Sequence, residues 1–330
     1  MAHLTYLAKN HLHYYGSFSL AQSTQQPLCK HFVTPHGYIA YLPSRSWLGF
    51  STPVLVLGEP CCDMAQWETV LTAFLKKHPR VAFIQISEKL ARVLKNIFGF
   101  YLVPFGVEHT IDLPTFTYNW NKRPNLVRYK NKFNKLGYVV NDVSFDDTYK
   151  PLCQQLSKEW LAHKRHRYPN QSFLTRPLTY QNDNNVRVFV LEHQQQVAAF
   201  LTLDPLYQQQ RIMGYLINHL RYHPLAPSGS NYALIEGVIQ QLQTEKISSL
   251  SLGLAPFNSP GSFDSDIDYL TYFLTKLYQQ NTFLYNFNGI ANMKASFQAN
   301  QQLSYIAVQS RFPLCAGLKL LAAFLFGKWV

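Results

Sequence analysis

The sequence predicts a protein of the α/β class, more closely α+β, because its mixed sheets are flanked by helices. Short continuous apolar runs, such as Pro53–Leu57 and Arg80–Ile86, are typical of buried strands. Amphipathic stretches such as Ala65–Lys77 carry apolar side chains at helical spacing. The two patterns alternate along 330 residues, of which 47% are hydrophobic and 15% are charged. The chain is therefore long and apolar enough for two domains, each with its own core.

The first predicted domain covers residues 1–120. In chain order its elements are a helix over residues 2–14, a hairpin of His31–Thr34 and Tyr38–Leu42, a strand at Pro53–Leu57, a helix at Ala65–Lys77, a strand at Arg80–Ile86, a helix at Glu88–Phe98 and a strand at Val107–Leu113. Strands and helices in this order predict a mixed sheet that closes near residue 115.

A basic segment, residues 121–136, follows and is predicted to be a linker helix from about Asn125. The net charge of +12 favours polyanionic partners. A second basic cluster follows the helix predicted at Tyr149–Lys164. The cations expected to bind tRNA or phosphate are Arg128, Lys130, Lys132, Lys135, Lys164 and Arg165. A solvated helix face remains the alternative for the first cluster.

The second predicted domain covers residues 137–310. Its elements are a strand at Gly137–Val143, the helix at Tyr149–Lys164, a meander of Val186–Glu192, Gln196–Leu203 and Arg211–Ile217, a helix that begins near Ser230, a strand at Ser248–Leu254, a helix at Asp268–Gln279 and a strand at Tyr305–Val308. The stretch Tyr215–Phe257 forms a strand, a polar loop, a helix and a strand. Ligand sites of α/β proteins form at the ends of parallel strands in such units.

This order of elements resembles the GNAT acyltransferase fold, and the first half repeats the order more weakly. We therefore expect tandem GNAT-like acyltransferase domains. Relatives that bind acetyl-CoA carry an R/Q-x-x-G-x-G/A loop, whose backbone amides hold a pyrophosphate. The nearest match, Arg211–Leu216, ends in leucine and lies in a predicted strand. A donor other than a CoA thioester is therefore expected.

Three motifs make the resemblance more specific. They are Leu220–Pro224, Ser251–Pro256 and Tyr285–Gly289, the last followed by Lys294 and Phe297. In order and spacing they resemble the catalytic domain of the phosphatidylglycerol lysyltransferase family, over roughly residues 14–310. The resemblance implies transfer of an aminoacyl group from aminoacyl-tRNA to a hydroxyl of a membrane lipid, usually phosphatidylglycerol.

The resemblance also implies roles for single residues. Arg221 matches an arginine that would bind phosphate or polarise the ester, and Lys294 matches a lysine that could stabilise the oxyanion. Asn218 stands where the family usually has aspartate and cannot act as a base. His219, His223 or the substrate amine would then take that role. The expected substrate-binding residues are Gly253, Ala255, Pro256, Tyr285, Asn286 and Glu159.

We expect no metal and no cofactor, with aminoacyl-tRNA as the co-substrate. The expected partners are aminoacyl-tRNA, an anionic membrane lipid and the membrane surface. Residues 311–330 form an amphipathic tail that docks on the bilayer or packs on the core. Relatives carry a transmembrane flippase domain that these 330 residues lack, so a separate flippase is a further expected partner. Five cysteines without a C-x-x-C pair indicate a reducing compartment, and we expect a cytoplasmic protein on the inner face of the membrane.

Two alternatives stay open from sequence. One is an acyl-CoA-dependent N- or O-acyltransferase, against which the missing pyrophosphate loop argues. The other is a protein without catalytic activity that binds tRNA or membrane on the same fold. The replacement of aspartate by Asn218, and of a second family lysine by Ser296, motivates this last reading.

Overall fold

A computed structural model describes residues 2–44, 46–47, 50–117, 123–163, 174–183, 185–258, 265–279 and 287–311. The predicted fold class is confirmed, because a twelve-stranded mixed sheet with helices on its faces runs through this part of the chain. No helix of these residues is both long and apolar enough to cross a membrane. The expected membrane-docking tail, residues 311–330, lies outside the described residues except for Arg311.

The helices are α1 (Ala2–Tyr15), α2 (Trp67–Lys77), α3 (Glu88–Phe98), α4 (Pro124–Lys135), α5 (Tyr149–His163), α6 (Ser230–Thr244), α7 (Asp268–Gln279) and α8 (Phe287–Ala295). The strands are β1 (Lys30–Thr34), β2 (Gly37–Leu42), β3 (Ser46–Trp47), β4 (Phe50–Ser51), β5 (Val54–Leu57), β6 (Cys61–Cys62), β7 (Val81–Ser87), β8 (Tyr101–Asp112), β9 (Val139–Val143), β10 (Arg187–His193), β11 (Gln196–Gln208), β12 (Arg211–Tyr222), β13 (Ser249–Pro256) and β14 (Asn300–Val308). The main sheet has the order β1-β2-β5-β7-β14-β8-β13-β12-β11-β10-β9, with β6 beside β2.

The two halves of the sheet are built alike. In the first half, the β1–β2 hairpin leads to β5, which lies parallel to β7. In the second half, the antiparallel strands β9 to β12 lead to β13, which lies parallel to β12. The faces are covered by helices, since Phe133 of α4 and Leu234 of α6 share a core with Leu201 of β11. Cys153 of α5 packs with Phe200 in a second cluster, on the opposite side of β11.

The last strand of each half pairs with the other half. β8, which follows α3 in the first half, is hydrogen-bonded to β13 of the second half. β14, at the end of the second half, pairs with β7 of the first half and with β8. The two halves therefore share one continuous sheet at these four strands. The predicted domain boundaries, at about residues 120, 136 and 310, stay a prediction.

Four strands are clearly longer than the sequence pattern indicated. β8 begins at Tyr101 and not at Val107, and β14 begins at Asn300 and not at Tyr305. β11 continues to Gln208 and does not end at Leu203, and β12 continues to Tyr222 and does not end near Ile217. In each case the added residues are hydrogen-bonded to a neighbouring strand, which local hydrophobic alternation does not reveal. The extension of β12 matters for function, because it places the predicted polar loop on a strand.

Candidate functional site

The strands β12 and β13 diverge, and we call the region between them the fork. Their parallel pairing covers Gly214–Leu216 and Ser249–Ser251 only, although β12 runs on to Tyr222 and β13 to Pro256. Beyond this point β12 stays paired with β11, and β13 stays paired with β8. Diverging parallel strands leave backbone amides and carbonyls that a ligand can bind. The fork is bounded by Ile217–Tyr222 on one side and by Leu252–Pro256 on the other.

Arg221 lies near the open end of the fork and lines a cavity of about 320 Å³. Its side chain is buried, Nη1 donates to the Tyr180 hydroxyl at 3.3 Å, and the guanidinium lies 5.3 Å from the Trp160 ring centroid. The other cavity residues are Gln154, Ser157, Lys158, Leu161 and Leu178. Burial lowers the pKa of Arg221, which nevertheless stays charged at any physiological pH. Within the described residues no carboxylate forms an ion pair with it. The cavity can therefore accept an anion.

Asn218 and His219 hold a neighbouring segment in place. The Asn218 side-chain amide donates to the Arg176 carbonyl at 3.3 Å, and His219 Nε2 lies 2.7 Å from the same oxygen. The Arg176 side chain pairs in turn with the buried Asp204 at 2.7 Å. Burial, reinforced by the Arg221 charge, lowers the pKa of His219 to about 3. Such a weakly basic imidazole is a poor general base at neutral pH. The geometry thus favours a positioning role for both residues.

Lys294 lies at the closed end of the fork. Its Nζ donates to the Leu254 carbonyl at 2.7 Å, and its side chain is 7% exposed. Gly253 has φ +76°, and a Cβ there would lie 3.5 Å from Leu216 Cδ1 and 3.6 Å from Lys294 Nζ. The amine therefore sits where β12 and β13 separate. Burial lowers the pKa of Lys294 to about 7, and the charge of Glu108 acts in the opposite direction.

The structure separates Arg221 from Lys294. Arg221 follows Leu216 by five positions on β12, and Leu216 and Lys294 both lie beside Gly253. At about 3.3 Å per residue this is roughly 16 Å along the strand. The two side chains therefore lie at different places along the fork, a spacing that the sequence could not reveal.

The other predicted substrate-binding residues have mixed surroundings. Ala255 and Pro256 lie on β13, paired with Val107 and Gly106 of β8, and Ala255 is buried. Glu159 forms a 2.6 Å contact with His223 at the open end of the fork, so this carboxylate is engaged. Tyr285 and Asn286 lie outside the described residues.

Two of the four cations predicted to bind nucleic acid on α4 make contacts within the protein. Arg128 and Lys135 are exposed, whereas Lys130 pairs with Glu236 at 3.0 Å. Lys132 donates to the Ser228 carbonyl at 2.8 Å, at the loop before α6. Lys130 and Lys132 therefore stabilise the packing of α4 against α6 and the loop before it. Lys164 and Arg165 lie outside the described residues.

Sequence reasoning missed Tyr180, Trp160, Glu108 and His109. The two aromatic side chains contact Arg221, from the 174–183 segment and from α5. Glu108 and His109 are neighbours on β8, opposite Leu254 and Gly253 of β13, and both interact electrostatically with Lys294. The signal for them was the polar run Glu108–Thr110 after the apolar stretch Leu102–Val107.

The chain is similar in sequence to one family of proteins over most of its length. The family model described as phosphatidylglycerol lysyltransferase, C-terminal, matches residues 30–308. The phosphatidylglycerol lysyltransferase of Bacillus subtilis is 25% identical over 286 residues, which cover 83% of this chain and 32% of that protein. The enzyme of the same name from Staphylococcus xylosus is 24% identical over 254 residues, or 74% of this chain and 29% of that protein. The chain thus spans about a third of the length of these curated relatives.

Two solved structures share the fold. The C-terminal domain of a putative lysylphosphatidylglycerol synthetase from Agrobacterium fabrum has a TM-score of 0.80 at 20% identity, covering 99% of this chain and 98% of that chain. L-PGS from Bacillus licheniformis has a TM-score of 0.79 at 21% identity, with 98% and 97% covered. FemX is more distant, with a TM-score of 0.57 at 8% identity, with 95% and 98% covered.

Proposed function

Because the chain belongs to the phosphatidylglycerol lysyltransferase C-terminal family, we propose that it transfers an aminoacyl group from aminoacyl-tRNA to a hydroxyl of phosphatidylglycerol. The observation that carries this proposal is the buried Arg221 in its cavity beside the fork. A buried guanidinium without a carboxylate partner is costly unless an anion completes its coordination. The phosphodiester of the lipid headgroup is such an anion, and an arginine guanidinium can bind two of its oxygens at once.

Lys294 stabilises the developing charge at the reacting carbonyl. The lipid hydroxyl attacks the carbonyl carbon of the aminoacyl ester, and the C=O oxygen becomes an oxyanion. A lysine ammonium has three N–H donors, of which one is used by the Leu254 carbonyl. The remaining donors can bind the oxyanion, a contribution that grows as charge develops. The tetrahedral intermediate then collapses, the new ester bond remains, and the tRNA ribose oxygen leaves.

The proton of the lipid hydroxyl must end on that ribose oxygen. Asn218 has no basic atom, and His219 is held neutral with its Nε2 at the Arg176 carbonyl. We infer that the α-amine of the aminoacyl group carries the proton between the two oxygens, since it lies next to the reacting carbonyl by its own covalent structure. The protein then contributes binding, orientation and electrostatics.

The exposed cations of α4 suit the tRNA side of this reaction. Arg128 and Lys135 are exposed, and the Arg128 guanidinium lies 5.1 Å from the centroid of the Tyr129 ring, which stacks on Tyr232 at 4.9 Å between centroids. Lys132 links α4 to the loop that follows β12. A nucleic acid bound on α4 would therefore lie next to the fork.

The direct test uses tRNA charged with a radiolabelled amino acid and vesicles that contain phosphatidylglycerol. We expect label to appear in the chloroform-soluble fraction with the unaltered protein. R221A should reduce transfer by two or more orders of magnitude, since a buried charged contact is worth about 3 kcal/mol or more. R92A is the matched control, because Arg92 is an exposed arginine of α3 that pairs only with Glu88 along the helix. Absence of transfer with every aminoacyl-tRNA would contradict the proposal.

One feature favours a second candidate, binding without turnover. The Asn218 side chain donates to the Arg176 carbonyl and offers no basic atom, and the Ser296 hydroxyl donates to the Asn292 carbonyl. A protein of this kind would bind charged tRNA and anionic vesicles with unchanged affinity in K294M. In the transfer assay it would yield no labelled lipid.

A further inference from the structure

The first half of the chain supplies a carboxylate beside the amine of the second half. Glu108 lies on β8, and the antiparallel register of β8 with β13 places it opposite Leu254. Leu254 is the residue whose carbonyl accepts the hydrogen bond from Lys294 Nζ at 2.7 Å. Directly opposed residues on paired strands are close neighbours, about 4.5–5.5 Å apart at their Cα atoms. The exchange of β8 into the second half is what brings Glu108 to this position.

The Glu108 carboxylate is fixed on both oxygens. Oε1 accepts a hydrogen bond from the Gln85 side-chain amide at 2.8 Å, and Oε2 accepts one from the Ser19 hydroxyl. Gln85 itself is nearly buried and stands at an irregularity of β7, with φ +57°. Two donors from separate elements of the first half therefore aim at one carboxylate. Hydrogen bonds of this kind fix the position of the carboxylate.

In the part of the chain that the structure describes, few titratable groups interact with Lys294. They are Glu108 and His109 of β8, and the amine also donates to the Leu254 carbonyl of β13. Burial, together with the nearby ammonium, lowers the pKa of His109 to about 4, so this imidazole is neutral. Glu59 accepts the Ser87 backbone N–H, and burial raises its pKa. Among the described residues Glu108 is thus the carboxylate whose charge acts on the amine, without a direct ion pair between the two.

We propose that Glu108 is a positioning residue that keeps the Lys294 amine charged where it donates to the Leu254 carbonyl, at the closed end of the fork. The inference rests on the proposed function in so far as Lys294 acts on the reacting carbonyl. It extends that function, because it makes the first half of the chain a working part of a site whose other members lie in the second half. Glu108 acts through Lys294 and does not touch the substrate.

The test measures the charge state of Lys294 without any substrate. Protein labelled with lysine carrying ¹³C at Cε and ¹⁵N at Nζ is titrated by NMR, and K294R assigns the signal. In E108Q we expect the midpoint to fall by about one pH unit, the lower end of the effect of a nearby opposite charge. Since the midpoint of the unaltered protein is about 7, the charged fraction at pH 7 would fall about fivefold.

Two control variants make the result specific. E88Q removes a carboxylate from the exposed face of α3 in the same half, and the midpoint should not move. S19A removes one hydrogen bond to Glu108 but keeps its charge, so the midpoint should move by no more than a few tenths of a unit. A folded E108Q with an unmoved midpoint would overturn the proposal. An equally large shift in S19A would overturn it too, because packing and not charge would then be the cause.

Transfer activity is measured separately on the same variants. If the alkaline fall in rate moves to lower pH in E108Q with the NMR midpoint, the positioning role extends to catalysis. If the midpoint moves but the unaltered protein transfers nothing, the contact between Glu108 and Lys294 stands and the proposed function fails. The two failures are therefore distinguishable.

Discussion

Restoring aspartate at position 218 should destabilise this protein. The Asn218 amide donates to the Arg176 carbonyl at 3.3 Å, and a carboxylate has no hydrogen to donate. Loss of a neutral hydrogen bond costs about 1 kcal/mol, and a partly buried acceptor placed against another acceptor costs about 1–3 kcal/mol more. N218D should therefore lower the free energy of unfolding by about 2–4 kcal/mol at pH 7.

The effect should depend on pH in a defined direction. A carboxyl group that faces a carbonyl has a folded-state pKa above its unfolded value of about 3.9. The neutral form of this carboxyl group can donate to the Arg176 carbonyl, so N218D should lower the free energy of unfolding only slightly near pH 4. The loss of stability should grow as the pH rises from the unfolded-state pKa through the folded-state pKa.

Urea unfolding at pH 4.5 and pH 7 measures both quantities. N182D is the matched control on the segment that Asn218 holds. The Asn182 oxygen accepts the Phe145 backbone N–H at 2.8 Å, and an aspartate keeps that acceptor. If N218D were as stable as the unaltered protein at pH 7 and transferred aminoacyl groups faster, position 218 would be a catalytic site and the positioning argument would be wrong.

Three further predictions concern other contacts. The transfer rate should fall as the pH rises past about 7, where the Lys294 ammonium loses its proton. K294R should remove that fall because arginine stays charged. An unchanged pH profile in K294R would contradict this role. D204A should cost about 3 kcal/mol in urea unfolding, because it removes the buried partner of the Arg176 guanidinium and leaves only the more exposed Asp183. A loss below about 1 kcal/mol would refute this. Affinity for charged tRNA, measured by filter binding, should fall steeply between roughly 50 and 200 mM salt, and the double variant R128A/K135A should flatten that slope; equal slopes would remove α4 from the interface.

Local patterns predicted several helices closely. α3 begins after Ser87, whose hydroxyl accepts the Leu90 N–H, and ends at Gly99 with φ +68°. Both cap residues are visible in the sequence, so the predicted range agrees with the structure. α7 was likewise predicted at its observed bounds. In these elements the determining contacts lie within a few residues of each other.

The long strands and the site residues depend on distant partners. Pro104 and Gly106 lie inside β8 because β14 and β13 satisfy the neighbouring backbone groups, and no local pattern carries that information. Tyr180 meets Arg221 across 41 residues of sequence. The motifs point to Arg221 and Lys294 as candidates, yet the separation of the two along the fork follows from strand register, which a single sequence does not specify.

The exchange of β8 and β14 has a consequence for how the chain folds during synthesis. β7 obtains its partner β14 only after more than 200 further residues, as the contact of Ser304 with Ile86 across 218 positions indicates. At about 5–20 residues per second the ribosome needs about 10 to 40 s to produce that stretch. During this interval the first half has an open strand edge that is prone to aggregation. A chain that stops before residue 300 would keep that edge open, so we expect such truncations to need chaperones and to accumulate as aggregates, even though the residues of the fork on β12 and β13 are all present.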